Sequence, residues 1–335
     1  MENRKLLDKT LIDPHNRSLN YLRVSITDRC NLRCVYCVPP KLAPKLKPSY
    51  ILSYEEILRL IRIGVALGIN KVRITGGEPL VRKGVIDFLH QLNLIKGLRD
   101  RSLTTNGVFL CSNIDQIKAA GIQRINVSLD TLNPRKFEKI TGKHLFDKVW
   151  AGIIDAHKAG LRPIKINVVA LKGINDDELL DFARLTYTYP FHIRFIEHMP
   201  IGRAAFKTKE NILAPEIMTR LQALGTLTPV TQQGIDGPAK RYRLKGAVGE
   251  IGFIRPLSDH FCARCNRLRL TASGQLRACL LSEYSEDLKS SLRGGASDDE
   301  IAGTFLSVVR HKPLAHQLNA GKNDCHGSQM VSIGG

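Results

Sequence analysis

Aromatic residues are scarce in this chain of 335 residues, 6% of the total with a single tryptophan, and acids are outnumbered 31 to 50 by lysine and arginine. The first scarcity counts against a binder of single-stranded nucleic acid, which stacks bases on aromatic platforms. The second leaves a net charge of +19, a field that draws polyanions. The basic residues are scattered along the chain, so most of them read as a solvated surface. No nucleic-acid partner is expected, and a nucleoside triphosphate suits the same charge. Long apolar runs are also missing. The opening MENRKLLDKT has no stretch of signal-peptide length, and residues 61–69 are broken by Arg62 and too short to cross a bilayer. A cytoplasmic protein with no membrane partner is expected. There is no internal repeat beyond β/α alternation and no low-complexity segment. The length suits one large domain with an appendage, and a hydrophobic fraction of 43% is enough for a core.

What is present is cysteine in clusters. Six of the eight cysteines fall into two sets, and in a cytosolic chain such sets point to metal or redox chemistry rather than disulfides. In the first set, Cys30, Cys34 and Cys37 follow an alternating apolar segment (Leu22, Val24, Ile26) and can turn toward a common point. Structural zinc needs four protein ligands, and no further Cys or His lies between Cys37 and His90. A four-iron cluster held by three thiolates would keep one iron open to a ligand that is not protein. The second set is Cys262, Cys265 and Cys279, in FCARCNRLRLTASGQLRACL. A C-x-x-C pair with a distant cysteine is also half a zinc ribbon, which His260 or His326 could complete. Arg267 and Arg269 stand on alternate residues just after Cys265, where a strand would turn both to one side. Paired guanidinium forks there suit an anionic substrate, phosphate above all.

Strands are expected at residues 23–27, 71–75, 101–105, 123–129, 163–170 and 192–197. Helices fill the gaps. One begins after Ser53 with Glu56 completing a capping box, and others start near Gly84, Ser112, Asn133, Asp147 and Asn175. The unusual residues gather at strand carboxyl ends: Cys30 after the first, Gly76-Gly77-Glu78-Pro79 after the second, Thr104-Thr105-Asn106-Gly107 at the third, Ser128-Leu129-Asp130 at the fourth and Glu197-His198-Met199-Pro200 at the sixth. That is how barrel enzymes assemble a site, whereas an open doubly wound sheet binds at one switch point. The fold class expected is therefore α/β, a partial (β/α)6 TIM-like barrel with a C-terminal α+β extension carrying the second cysteine set. Beyond Gly202 a helix is expected near 215–224, strands at 227–231, 240–244 and 250–254, and helices near 285–293 and 297–312. The division is an N-terminal arm (1–20), the barrel (21–215) and the C-terminal region (216–335) ending in Gly334-Gly335.

The CxxxCxxC spacing with Tyr36 before the third cysteine, and GGEP after the second strand, resemble the radical S-adenosylmethionine (SAM) superfamily. In that superfamily the open iron binds SAM, and one electron cleaves it to a 5′-deoxyadenosyl radical. The resemblance assigns SAM contacts to Tyr36, Gly77, Ser128 and Met199. YLRVSITDRCNLRCVYC, ITGGEPLVR, TTNG, NVSLDTLNP, KINVVALKGIND, FIEHMP, the second cysteine set and the terminal Gly-Gly are together similar to the MoaA family, the GTP 3′,8-cyclases of molybdenum cofactor biosynthesis. The match runs from about Tyr21 to Gly335. Val38 and His198 depart from common family residues without removing a ligand.

This resemblance implies two [4Fe-4S] clusters, SAM on the first and GTP on the second. It implies a radical that takes hydrogen from C3′ of GTP so that C3′ attacks guanine C8. Arg23, Arg73, Thr104, Lys165, Arg267, Leu268 and Arg269 become GTP contacts, and Arg267, Arg269, Gly334 and Gly335 become catalytic groups, the double glycine threading into the site. It further implies a flavodoxin or ferredoxin as electron donor, transfer of product to MoaC, and a homodimer. Two other readings stay open: a peptide-modifying radical SAM enzyme with an auxiliary cluster, and a zinc-containing nucleic-acid-binding module. Cys111 is expected in the core, and Cys325 matches no ligand position.

Overall fold

Leu22 and Val24 alternate with Tyr21, Arg23 and Ser25 along the first strand, and the same two-residue alternation in its neighbours gives the sheet one apolar and one polar face. The computed structural model describes residues 10–38, 45–199, 201, 211–231, 237–316 and 330. Its strands are β1 (Tyr21–Ser25), β2 (Lys71–Thr75), β3 (Asp100–Thr105), β4 (Arg124–Ser128), β5 (Ile164–Ala170), β6 (His192–Glu197), β7 (Leu227–Pro229), β8 (Lys240–Leu244), β9 (Glu250–Ile254), β10 (Arg267–Leu270), β11 (Gln275–Arg277) and β12 (Glu286–Asp287). The helices are α1 (Tyr54–Ala66), α2 (Val85–Asn93), α3 (Ile114–Ala119), α4 (Pro134–Thr141), α5 (Phe146–Lys158), α6 (Leu179–Thr188), α7 (Ala214–Leu221), α8 (Leu288–Arg293) and α9 (Asp298–Arg310).

Leu22, Val24, Val72, Ile74, Leu103, Ile125, Val127, Ile166, Val168, Ile193 and Phe195 are at most 1% exposed. They share one core with the buried faces of the helices, including Ile57, Phe88, Ile153 and Phe182. Each such side chain contributes about 1.5–3 kcal/mol on burial. The opposite face carries Arg23, Arg73, Thr104, Asn126, Asn167 and Arg194.

β1 to β6 run parallel in sequence order, in a 12-stranded sheet ordered β12-β11-β10-β1-β2-β3-β4-β5-β6-β9-β8-β7. This is the expected partial barrel. Both of its edges are extended by the C-terminal region. β9 pairs parallel with β6, and β10 pairs parallel with β1, setting Arg23 opposite Arg269. Residues 255–266 therefore pass from one edge of the sheet to the other, carrying Cys262 and Cys265 across the open side.

Local signals set most boundaries. Ser53 Oγ accepts from the Glu56 amide (3.1 Å) and Glu56 Oε2 from the Ser53 amide (2.6 Å), the expected capping box. Asn133 caps α4. Asn175 does not begin a helix. It is buried, donating to the carbonyls of Asp130 (2.6 Å) and Val169 (2.9 Å), so it ties two strand ends together and α6 begins at Leu179. Residues 286–287 pair with β11 as a short strand, and Asp287 then caps α8, three residues later than the sequence suggests. Cys111 is a further correction. It is exposed, in a 3-10 turn ahead of α3, with its thiol donating to Asp155 Oδ2 at 3.2 Å, because the turn leaves it on the surface rather than on the apolar face. Cys325 lies outside the described residues. The described part of the arm folds back on itself through a turn at 13–16 and buries Leu11 and Leu19 in the main core. No helix among the described residues is long and apolar enough to cross a membrane.

Candidate active site

The loop bearing the first cysteine trio is fixed by the glycines beside it. The Gly77 amide donates to the Thr27 carbonyl (2.7 Å) and the Glu78 amide to the Arg29 carbonyl (2.8 Å). A Cβ at Gly77 would collide with the Arg29 carbonyl, and one at Gly76 would lie 2.8 Å from the Thr27 carbonyl, so both positions need glycine for this close backbone approach. Glu78 is fully buried. Its Oε1 accepts from the Leu80 amide (3.0 Å) and Thr105 Oγ1 (2.8 Å), and its Oε2 from the Asn106 amide (2.6 Å). Burial raises its pKa to about 7, against the pull of those donors. Asn106 Nδ2 in turn donates to Asn31 Oδ1 (2.7 Å) and approaches Cys30 Sγ (3.7 Å). Tyr36 donates to Asp130 Oδ2 at 2.5 Å, and Asp130 Oδ1 accepts the Val169 amide at 2.8 Å. Burial raises Asp130 to about 6. Burial, with Cys37 and Asp130 adding to it, pushes Cys34 well up, and burial takes Cys37 to about 12.

The second trio stands on the crossing segment. Glu197, at the end of β6, accepts the amides of Leu257 (2.8 Å) and Ser258 (3.0 Å) and so anchors that segment where it leaves the sheet. Cys262 opens a 3-10 turn (Cys262–Arg264), Cys265 caps it in extended conformation, and Cys279 comes just after β11. Burial pushes Cys262 up, as it does the first trio's thiols, but Cys265 goes the other way. Burial works to raise Cys265, but Lys312 and Arg267 outweigh it and its pKa is lowered.

All six cysteines line one cavity of about 300 Å³. Tyr21, Arg23, Tyr36, Arg73, Gly77, Thr104, Ser128, Met199, Arg267 and Arg269 line it with them. Of the sequence-derived contacts, Leu268 packs its side chain in the core at 0% exposed. Lys165 is buried on the same face of β5 as the cavity-lining Asn167 but does not itself border the space. Gly334 and Gly335 lie outside the described residues.

The walls are strongly cationic. The Tyr21 ring has Lys71 Nζ at 5.0 Å and the guanidinium carbons of Arg73 and Arg267 at 5.6 and 5.7 Å from its centre. Arg23 is pushed well down by burial and then by Arg269, and Arg269 is lowered to about 10 by burial and then by Arg267. Lys165 is lowered to about 6 by burial, with Arg194 and Arg73 adding to it. Arg23 Nε, Arg269 Nη1, Thr104 Oγ1 and Asn167 Oδ1 are buried at this cavity without a hydrogen-bond partner among the described residues. Buried polar atoms are rarely left so, and donors crowded by like charge call for an anion.

Three thiols in each set are the donor number that a four-iron cluster with one open corner would take. All six thiols are free. Among the described residues the only three-donor group of His, Cys, Asp or Glu with ligand atoms all within 4.8 Å of one another is His260, Cys262 and His316. Neither cysteine trio is drawn in so tightly, whereas tetrahedral zinc would bring its sulfurs to roughly 3.8 Å. His326 lies outside the described residues.

Sequence reasoning left Asp130, Asn167, Arg194 and His316 without a role, although all four line the cavity. Position gave a signal for Asp130, just beyond the carboxyl end of β4, and alternation with Ile166 and Val168 gave one for Asn167 in the middle of β5. Arg194 carried one too, as an arginine that alternates with Ile193 and Phe195. His316 had none, since it lies far along the chain from either trio.

The chain matches the Radical SAM superfamily model over residues 24–186 and the Molybdenum Cofactor Synthesis C model over residues 191–318. It is 50% identical over 303 residues to the GTP 3′,8-cyclase of Thermodesulfovibrio yellowstonii, covering 90% of this chain and 94% of that one. It is 48% identical to that of Desulforamulus reducens (97% and 100% covered) and 44% identical to that of Geobacter sulfurreducens (97% and 99% covered). Among solved structures, Streptococcus suis SuiB bound to S-adenosylmethionine superposes with a TM-score of 0.61 over 88% of this chain and 69% of that chain, at 16% identity, a likeness of fold. Both halves of the cavity, the GGEP-clamped trio and the arginine-flanked one, fall inside the regions shared with these nearly full-length relatives, and the chain belongs to the GTP 3′,8-cyclase family of the radical SAM superfamily.

Proposed function

We propose that this chain converts GTP to (8S)-3′,8-cyclo-7,8-dihydroguanosine 5′-triphosphate, the first step of molybdenum cofactor biosynthesis. The observation that carries this reading is the convergence of two three-thiol sets and a group of buried arginines on one cavity. Cys30, Cys34 and Cys37 would hold one four-iron cluster and Cys262, Cys265 and Cys279 another, each with one corner free. When bound, the first cluster and SAM would supply the one-electron chemistry that generates a 5′-deoxyadenosyl radical, and the second cluster would offer its open iron to GTP.

The residues around them bind and orient. Tyr36, Gly77, Ser128 and Met199 would cradle SAM. Arg23, Arg73, Thr104, Arg267 and Arg269 would hold GTP from the cavity wall, with Arg194 added to the set, Lys165 acting by its charge from behind the wall, and Leu268 limited to its backbone because its side chain is in the core. Fixing the triphosphate on several strands at once sets the ribose in one orientation, which restricts the hydrogen exchanged to one position. Val169, Ile196 and Leu281 supply apolar wall that excludes water from a reactive carbon radical. Arg267, Arg269 and the Gly334-Gly335 terminus act in catalysis in this reading. The boundaries proposed remain 1–20, 21–215 and 216–335. A flavodoxin or ferredoxin would deliver electrons, product would pass to MoaC, and the protein would work as a cytoplasmic homodimer.

Anaerobic incubation with GTP, SAM and a reductant tests the reading, with the nucleotide product identified by mass spectrometry and metal counted beforehand. About eight irons per chain and a cyclised nucleotide are expected. Zinc at the second trio, or SAM cleavage with GTP returned intact, would refute it.

A further inference from the structure

Several buried cations stand outside the cavity, and two of them, Arg17 and Lys312, hold backbone next to the second cysteine trio. Arg17 and Lys312 are 7% and 3% exposed, and neither borders the shared space. Burying such groups is costly unless their donors are satisfied, and the way each is satisfied is specific. Arg17 Nε donates to Asp13 Oδ2 at 2.6 Å. Its Nη1 donates to the carbonyls of Cys262 (2.6 Å) and Leu314 (3.1 Å), and its Nη2 to that of Pro313 (2.7 Å). Three segments remote in sequence thus meet on one planar fork, a geometry a lysine cannot reproduce. Lys312 Nζ donates to the carbonyls of Arg267 (2.9 Å) and Ala278 (2.5 Å). These residues stand two after Cys265 and one before Cys279, and the Lys312 charge acts on both thiols. The Cys262 thiol also takes the backbone N–H of His316.

All three members of the second trio therefore have adjoining backbone held by one of these two cations. The first trio is held mainly by backbone hydrogen bonds, with the Gly77 and Glu78 amides on the Thr27 and Arg29 carbonyls and the Arg33 and Val35 amides on the Thr141 and Ile140 carbonyls, and its one cationic contact of this kind among the described residues is Lys45 Nζ on the Asp28 carbonyl at 3.1 Å. The Asp13–Arg17 turn is itself rigid: Asp13 Oδ1 accepts the amides of His15 (3.0 Å) and Arg17 (2.9 Å). Leu11 and Leu19 pin it to the core. The geometry points to Arg17 and Lys312 as positioning residues for the second cysteine trio. The arm and the segment after α9 form a brace that fixes these thiols relative to Arg267 and Arg269. This inference rests on the reading that the second trio carries a cluster.

The test uses full-length protein reconstituted anaerobically with iron and sulfide, comparing wild type with Arg17→Ala, Arg17→Lys and Lys312→Met. Iron per chain, the electron paramagnetic resonance spectrum with and without GTP, and SAM cleavage without GTP are measured. Wild type should hold about eight irons, and Arg17→Ala and Lys312→Met about four. The two variants should lose the spectral change on adding GTP while still cleaving SAM, and Arg17→Lys should recover only part of the iron. Variants that keep about eight irons and the wild-type response to GTP would overturn the inference. So would variants that lose both clusters and SAM cleavage together, since the two cations would then be general supports of the fold. A wild type holding only about four irons would instead remove the reading of the second trio, before any variant is compared.

Discussion

The two cysteine trios face the same cavity from different electrostatic surroundings. Around the first, Asp130 and Glu78 are the nearby ionisable partners that burial and backbone donors hold in place, and the thiols are pushed up. Around the second, Lys312, Arg267 and Arg269 outweigh burial and pull Cys265 down. The contrast matches the proposed ligands. SAM brings a sulfonium and an ammonium to the carboxylate side, and GTP brings a polyanion to the arginine side. One cavity can thus sort two nucleoside ligands by charge before any base-specific contact is made.

The largest expected effect breaks the pair into its halves. Cys34→Ala should abolish SAM cleavage, whereas Cys265→Ala should leave some cleavage and stop cyclisation. Chromatography of 5′-deoxyadenosine and the cyclised nucleotide reads both, and equal loss of cleavage in the two variants would contradict the division. Next in size is Gly77→Ala. Its Cβ meets the Arg29 carbonyl, which must move with the cysteine loop, so iron should fall by about four per chain while the second cluster's spectrum persists.

Arg269→Ala should weaken GTP binding by roughly 1.5–3 kcal/mol, about ten- to 150-fold, as expected for losing hydrogen bonds to a charged partner. SAM binding should hold, and calorimetry on each ligand checks the separation. The smallest effect is a proton. Lys165, lowered to about 6, is largely neutral at pH 8, and an approaching triphosphate favours its charged form. GTP binding there should take up as much as about one proton, and affinity should fall as pH rises above about 6. Calorimetry in buffers of different ionisation enthalpy measures the uptake, which Lys165→Met should remove. In the free chain the sign is opposite. The unfolded state holds more protons on this lysine between its lowered and ordinary values, so stability contributed by the site rises with pH through that window.

Much of this organisation was legible in the chain. Strands with two-residue alternation, the Ser53 capping box and polar residues at strand ends announced a barrel with its site at the carboxyl ends, because those signals are local and periodic. Arg267 and Arg269 were visible for the same reason. Asn175 misled, since the residue types that cap helices also bridge strand ends, and only the neighbouring chain chooses between the two roles. Cys111 misled because apolar character alone does not say which side of a turn faces water. His316, Arg17 and Lys312 were silent, being isolated residues whose partners lie 34 to 60 positions away for Lys312 and His316 and 245 or more away for the carbonyls on Arg17.

By itself, then, the sequence determined the donor chemistry, the two cysteine spacings, the polar inner face of each strand and the excess of positive charge, all of which follow from residue type and short-range period. Only the tertiary structure decided that the two trios share a cavity. That depends on β9 and β10 pairing with opposite edges of the same sheet, so that the segment between them must cross the open side. Edge pairing is a contest between backbone groups that carry no side-chain label, and it is settled by the packing of the whole chain.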